Sequence, residues 1–333
     1  MQGKHVYMKK AFILAILLVL IAEIIISIPL LLYTPAGKNI YGYFNPTPTA
    51  TPNPILTASG TPPAFKSSIA YLLDNDTGRT LIDIQGEKRV PMASTTKIMT
   101  AIIALQEAQP DEIVTVQQDA VNEVNKNFGS SANLVAGEKI RMIDMLYALM
   151  LPSGDDAAIA IADTISGSPQ AFVAVMNTYA KKLGLHDTHY INPDGLTYYT
   201  ANNHQPEPGH YTTAHDLALL ASYAMKNTMF QQIVKTQVYT ISQTAGHNAH
   251  TWQNTDELIQ DYPGVMGIKT GYTIEAGYCL VFEATDARHN LIGVVLDGQA
   301  PEDRFTDAES MLTWGFGLPL RPPPTPVPTK TGQ

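Results

Sequence analysis

Apolar side chains change their spacing several times along the chain, and each change marks an element. Residues 68–73 and 80–84 are short β-prone runs separated by Asn75-Asp76-Thr77-Gly78, whose residues tolerate the backbone angles of a turn, so together they predict a hairpin. From 94 to 107, Ile98, Ile102 and Leu105 fall on one helical face. Met142, Met145, Leu146 and Leu149 repeat that pattern before Pro152 stops it. Further helices are expected over 156–164, over Pro169–Leu183 closed by Gly184, and after Thr213, where Thr213-Ala214-His215-Asp216 matches a capping box. Segments 267–270, 277–284 and 290–296 read as strands with turn residues between them, and a last helix follows over 303–314. Strands near both ends with helices between them predict an α+β domain whose sheet joins the chain ends.

The flanks of this domain have a different chemistry. Lys4, Lys9 and Lys10 precede an apolar run in which Glu23 is the only charge, long enough to cross a bilayer as a helix. The run ends in Leu30-Leu31-Leu32-Tyr33-Thr34-Pro35 without an A-x-A-like cleavage site. The expectation is a cytoplasmic basic segment over 1–10 and a signal-anchor over 11–33, with a cleaved signal peptide as the alternative. Residues 34–63 are rich in Pro, Thr, Ala and Asn and read as a stalk, 64–320 as the folded domain, and 321–333 as a Pro-rich tail. The domain is expected outside the cytoplasm, at the cell membrane. A formal charge of -9 with no Lys/Arg block argues against nucleic acid as a partner. The single cysteine, Cys279, excludes an intramolecular disulfide and reads as a small apolar side chain in a strand.

Three short motifs occur in order: Ser94-Thr95-Thr96-Lys97, Ser153-Gly154-Asp155 and Lys269-Thr270-Gly271. Any one arises by chance, and a lone Ser-x-x-Lys usually marks a helix cap. Their order and settings carry more weight: a helix start, a loop between helices and a strand. A serine hydroxyl is a poor nucleophile until a base takes its proton, and Lys97, three positions on, shares a helical face with Ser94. Burial or a nearby cation, such as Lys269, can push an ammonium towards neutrality. Ser153 is suited to relay the proton to a leaving group, Thr270 to bond a substrate carboxylate, and Gly271 to let the strand backbone approach a bound peptide. The backbone N–H groups of Ser94 and Tyr272 are the candidate oxyanion donors.

These motifs, with Pro91-Met92-Ala93, Met150-Leu151-Pro152, Asn192-Pro193-Asp194-Gly195-Leu196, residues 264–273 and Leu312-Thr313-Trp314-Gly315-Phe316, resemble the low-molecular-mass penicillin-binding proteins, the serine D-Ala-D-Ala carboxypeptidases. The resemblance spans about residues 68–316. It implies a penicillin-binding and serine β-lactamase-like fold, with an antiparallel sheet formed by the two chain ends, packed with helices, and a helical lobe. It also implies removal of the terminal D-Ala from peptidoglycan pentapeptide stems through a Ser94 acyl-enzyme, acylation by β-lactams, and no cofactor. Arg304 stands where the family places an arginine that helps bind the terminal carboxylate, and Asp155 stands where it usually has asparagine. An ionised aspartate only accepts hydrogen bonds, whereas an amide also donates. A catalytically weak binding or scaffold protein, or a β-lactamase or endopeptidase of the same fold, are therefore the alternatives. His204, His210, His215, His247 and His250 form no zinc signature, and no metal is expected.

Overall fold

The computed structural model describes residues 55–127, 129–202 and 205–321; the expected basic segment, anchor and most of the stalk and tail lie outside them. In chain order the strands are β1 (Ile55–Leu56), β2 (Ile69–Asp74), β3 (Arg79–Ile84), β4 (Ile113–Thr115), β5 (Lys139–Arg141), β6 (Val238–Ile241), β7 (His250–Gln253), β8 (Val265–Thr273), β9 (Gly277–Thr285), β10 (Asn290–Gly298) and β11 (Leu320–Arg321). The helices are α1 (Lys97–Glu107), α2 (Gln118–Asn127), α3 (Met142–Met150), α4 (Asp155–Ser166), α5 (Pro169–Leu183), α6 (Ala214–Ala224), α7 (Thr228–Val234), α8 (Leu258–Asp261) and α9 (Asp303–Phe316).

The main sheet has five antiparallel strands in the order β3-β2-β10-β9-β8, so the hairpin from the start of the domain pairs with strands from its end, as expected. Both faces of this sheet are covered. Ile69, Tyr71, Val281, Ile292 and Val294 face the helical lobe, while Ala70, Leu72, Leu280, Phe282 and Val295 pack on Met311 and Leu312 of α9. Alternate side chains thus enter two different cores, which is why β2 and β10 read as continuous apolar runs rather than as alternating ones. In the lobe, α4 is buried along Asp155 to Ala162, with alanine and isoleucine letting neighbours approach closely from several sides.

Local chemistry sets the helix ends. Ser168 Oγ caps α5 by accepting from Ala171 N–H, Pro169 takes the first turn, and Gly184 closes it at φ 75°. Thr213 caps α6 through Asp216 N–H, but the Asp216 carboxylate is drawn instead to Asp187 N–H and the Thr188 hydroxyl, so only half of the capping box forms. Two expectations shift. The helix expected from residue 94 begins at Lys97, because Ala93–Thr96 forms a tight 3-10 turn with Ala93 at φ 47°. Within the segment expected as stalk, β1 pairs with β11, and Leu56 is buried against the core beneath α9.

Candidate active site

Lys97 is the centre of the site because it is an ammonium with no exposed surface. Such a charge is tolerated only where every proton is bonded. Its Nζ donates to Ser94 Oγ at 2.9 Å, to Asp155 Oδ1 at 2.5 Å and to the Asp194 carbonyl at 2.7 Å. Each bond comes from a different element: the turn before α1, the first residue of α4, and the turn at 192–196. The pairing of Ser94 with Lys97 expected from their spacing is therefore present, and Asp155 pairs with Lys97.

The turn holding Ser94 is fixed from two sides. Thr96 Oγ1 donates to the Ala93 carbonyl at 2.8 Å and accepts from His210 Nε2 at 2.9 Å. Ile191 N–H donates to His210 Nδ1, which places the ring proton on Nε2. Burial lowers the His210 pKa to about 3, so this imidazole stays neutral. On the other side lies β8, the edge strand of the sheet. A Cβ added at Gly271 would stand 3.1 Å from Ser94 N and 3.2 Å from Ala93 Cβ. The missing side chain makes room for the turn that holds Ser94, whereas the sequence reading had reserved that space for bound peptide.

Ser153 lies in the connection between α3 and α4, buried and at φ 66°, the one left-handed residue of its motif. The loop over it is tied down by Asp156, whose carboxylate accepts from Ser131 Oγ and from the N–H groups of Ala132 and Leu134. Trp252 Nε1–H donates to the Ala132 carbonyl, anchoring the same loop to the β6–β7 hairpin.

Lys269 is buried and donates to the Thr270 carbonyl at 3.0 Å. Burial, then repulsion from Lys97 and Arg304, pushes its ammonium well below the ordinary range. Thr270 Oγ1 shares a 2.6 Å hydrogen bond with Thr255 Oγ1. Arg304, at the start of α9, donates to the Gly271 carbonyl at 3.3 Å and lies over the Tyr278 and Phe305 rings. Its buried Nε has no partner among the described residues. Tyr272, the second expected oxyanion residue, is on the exposed end of β8 beside Tyr278.

Burial, opposed by Lys97, raises the Asp155 pKa. Burial and then the Asp155 charge raise Asp194 to about 8. Asp194, His210, Asp156 and Thr255 had no assigned part in the sequence reading. A backbone carbonyl carries no residue signature, and the other three act through partners remote in sequence. The remaining histidines go separate ways: His215 faces Glu87, His247 Nδ1 contacts the Asn248 carbonyl, and His250 pairs with Glu138. His204 lies outside the described residues. Cys279 is buried in β9 as an apolar side chain.

A family model described as D-alanyl-D-alanine carboxypeptidase matches residues 57–300. The D-alanyl-D-alanine carboxypeptidase of Streptomyces sp. (strain K15) is 38% identical over 290 residues, covering 83% of this chain and 94% of that one. DacF of Bacillus subtilis (strain 168) is 36% identical over 256 residues, 76% of this chain and 63% of the longer relative. The crystal structure of the Streptomyces K15 DD-transpeptidase matches with a TM-score of 0.72 at 38% identity, over 78% of this chain and 100% of that one. Penicillin binding protein 6B from Escherichia coli matches at a TM-score of 0.69 and 32% identity, over 79% and 81%. With the fold, the Ser94–Lys97 pair and these likenesses in agreement, the chain belongs to the D-alanyl-D-alanine carboxypeptidase family.

Proposed function

We propose that Ser94 is the nucleophile of a serine D-Ala-D-Ala carboxypeptidase acting on peptidoglycan pentapeptide stems, and that its Oγ attacks the carbonyl carbon of the penultimate D-Ala. The observation that carries this is the 2.9 Å contact of Lys97 Nζ with Ser94 Oγ in a buried setting. With Lys97 as the free amine, the bond reverses: Ser94 donates its proton to Nζ as the Oγ–C bond forms. The N–H groups of Ser94 and Tyr272 stabilise the oxyanion. The peptide C–N bond then breaks, the leaving nitrogen of the terminal D-Ala takes a proton through Ser153, and water hydrolyses the acyl-enzyme. A β-lactam amide enters the same first step. No cofactor is used.

The leaving residue carries a carboxylate, and Lys269, Thr270 and Arg304, whose Nε has no partner among the described residues, flank Gly271, which packs against the Ser94 turn. Release of D-Ala from an N-acetylated D-Ala-D-Ala peptide by the full chain, abolished in Ser94→Ala, tests the assignment. A Ser94→Ala variant that still turns over substrate would contradict it.

The apolar run at 11–33, with Lys4, Lys9 and Lys10 on its amino-terminal side, supports a membrane-anchored protein with its catalytic domain outside the cytoplasm. Substrate in the cell wall fits that placement.

A further inference from the structure

Lys269 is buried and Arg304 half-buried, and among the described residues neither forms a salt bridge. Each donates to a backbone carbonyl, of Thr270 and Gly271 respectively. Cations taken out of water are costly when unpaired, so a charge of opposite sign is expected within reach. We propose that Asp256 is that counter-charge, a positioning residue that keeps Lys269 cationic for a substrate carboxylate without occupying its N–H groups. The proposal rests on the carboxypeptidase reading above.

Asp256 lies in the short connection between β7 and α8, which is pinned from several sides. Asn254 Nδ2 donates to the Val234 and Thr236 carbonyls, Thr255 N–H donates to the Leu151 carbonyl, and Thr255 Oγ1 is bonded to Thr270 Oγ1. That last bond holds Asp256, one residue on, close to the strand that carries Lys269. The Asp256 side chain is buried. Its Oδ1 accepts from Leu258 N–H at 3.2 Å, and its Oδ2 has no hydrogen-bond partner among the described residues. The carboxyl therefore stands off from both cations and acts on them through space.

Burial raises the Asp256 carboxyl to about 7, against the pull of Lys269 and Arg304. Burial, Lys97 and Arg304 push Lys269 down, while Asp155 and Asp256 hold it up. Asp155 is already paired with Lys97, which leaves Asp256 as the unpaired acid. Arg304 is likewise lowered by burial and supported first by Asp256. Of the other groups acting on this cluster, Glu257 is exposed and screened by water, and Cys279 is a neutral thiol raised by burial to about 12. The signs interlock. Below about pH 7 Asp256 is neutral and Lys269 keeps its proton unaided; above it, Asp256 ionises where burial would otherwise take that proton away.

The test measures D-Ala release from an N-acetylated peptide ending D-Ala-D-Ala by the full chain in detergent, parent and Asp256→Asn, from about pH 6 to about pH 8.5. Asparagine still accepts from Leu258 N–H but carries no charge at any pH. The KM ratio, variant over parent, should be near one at the acid end and rise to about tenfold at the alkaline end, with kcat little changed. Asp256→Ser, whose hydroxyl can also accept from that N–H, should give the same ratio and stands in if the asparagine variant does not fold. An ionised Asp256 also repels the substrate carboxylate. That repulsion falls with distance, whereas loss of the Lys269 proton removes a whole charge at contact. A ratio independent of pH, a KM that falls in the variant, or a loss carried in kcat would overturn the role of Asp256 while leaving the carboxypeptidase standing. Failure of the parent protein to release D-Ala at any of these pH values would overturn both.

Discussion

At the scale of single residues, the site turns on how Lys97 spends its protons. Its bonds to Ser94, Asp155 and the Asp194 carbonyl use all three N–H groups of an ammonium. General-base catalysis requires one of them to be given up, and the Asp155 carboxylate opposes that loss because it stabilises the charged form. Replacing Asp155 by asparagine removes the opposing charge, so the sign is towards easier deprotonation. Asp155→Asn should move the rising limb of the penicillin-acylation pH profile downwards, by roughly one unit or more, and speed acylation at neutral pH about tenfold. Stopped-flow acylation rates between about pH 5 and 10 decide it. A limb that does not move would mean that Asp155 serves substrate binding rather than the state of Lys97. The Ser94, Lys97 and Asp155 constellation was legible because side-chain type and helical spacing both point to it. Asp194 was not, since what it offers Lys97 is a carbonyl, and any residue has one.

At the scale of elements, the turn at 192–196 shows how local chemistry serves the site. Asn192 Oδ1 accepts from Gly195 N–H at 2.8 Å while its Nδ2 donates to the Leu196 carbonyl, and this aims the Asp194 carbonyl at Lys97. Gly195 sits at φ 93°, and a Cβ there would come within 1.9 Å of the Ala93 carbonyl. The Gly195→Ala change should cost several kcal/mol and displace the nucleophile's turn, because left-handed backbone and a collision with main chain act together. Chemical denaturation and penicillin labelling of the same preparation would show both losses; an unchanged midpoint would contradict the crowding. The sheet hairpin and most helices could be read from periodicity. The α2 helix went unread because its apolar stripe is short, only Ala120, Val121 and Val124 set among polar residues. The β6–β7 hairpin also escaped. Its partners are distant in sequence: Trp252 with Ala132, and His250 with Glu138.

At the scale of the whole molecule, covering both faces of one sheet leaves Glu283 buried within β9, where it accepts from Asn75 Nδ2. Burial, with Asp76 nearby, raises its pKa from 4.5 to about 7. The native state therefore favours the protonated acid: the stability this gives is full below about pH 4.5 and is lost as pH rises through about 7. Glu283→Gln keeps an acceptor for Asn75 and removes the penalty. It should be more stable than the parent by about 2 kcal/mol at pH 8, with the gap closing near pH 5. Thermal melts at the two pH values read the difference, and a gap independent of pH would refute the cause given. The anchor proposal belongs to this scale as well. Because an apolar helix rather than charge would hold the protein, the mature chain should stay with membranes through a high-salt wash and keep its first residues. A soluble form beginning near Ala36 would show cleavage instead. The central claim, that one chain positions Ser94 for acyl transfer, has a more direct test. Incubating the full chain in detergent with a penicillin, digesting it and mapping the adduct by mass spectrometry should find one acylated peptide, modified at Ser94. An adduct at any other residue, or none in folded protein, would contradict the account.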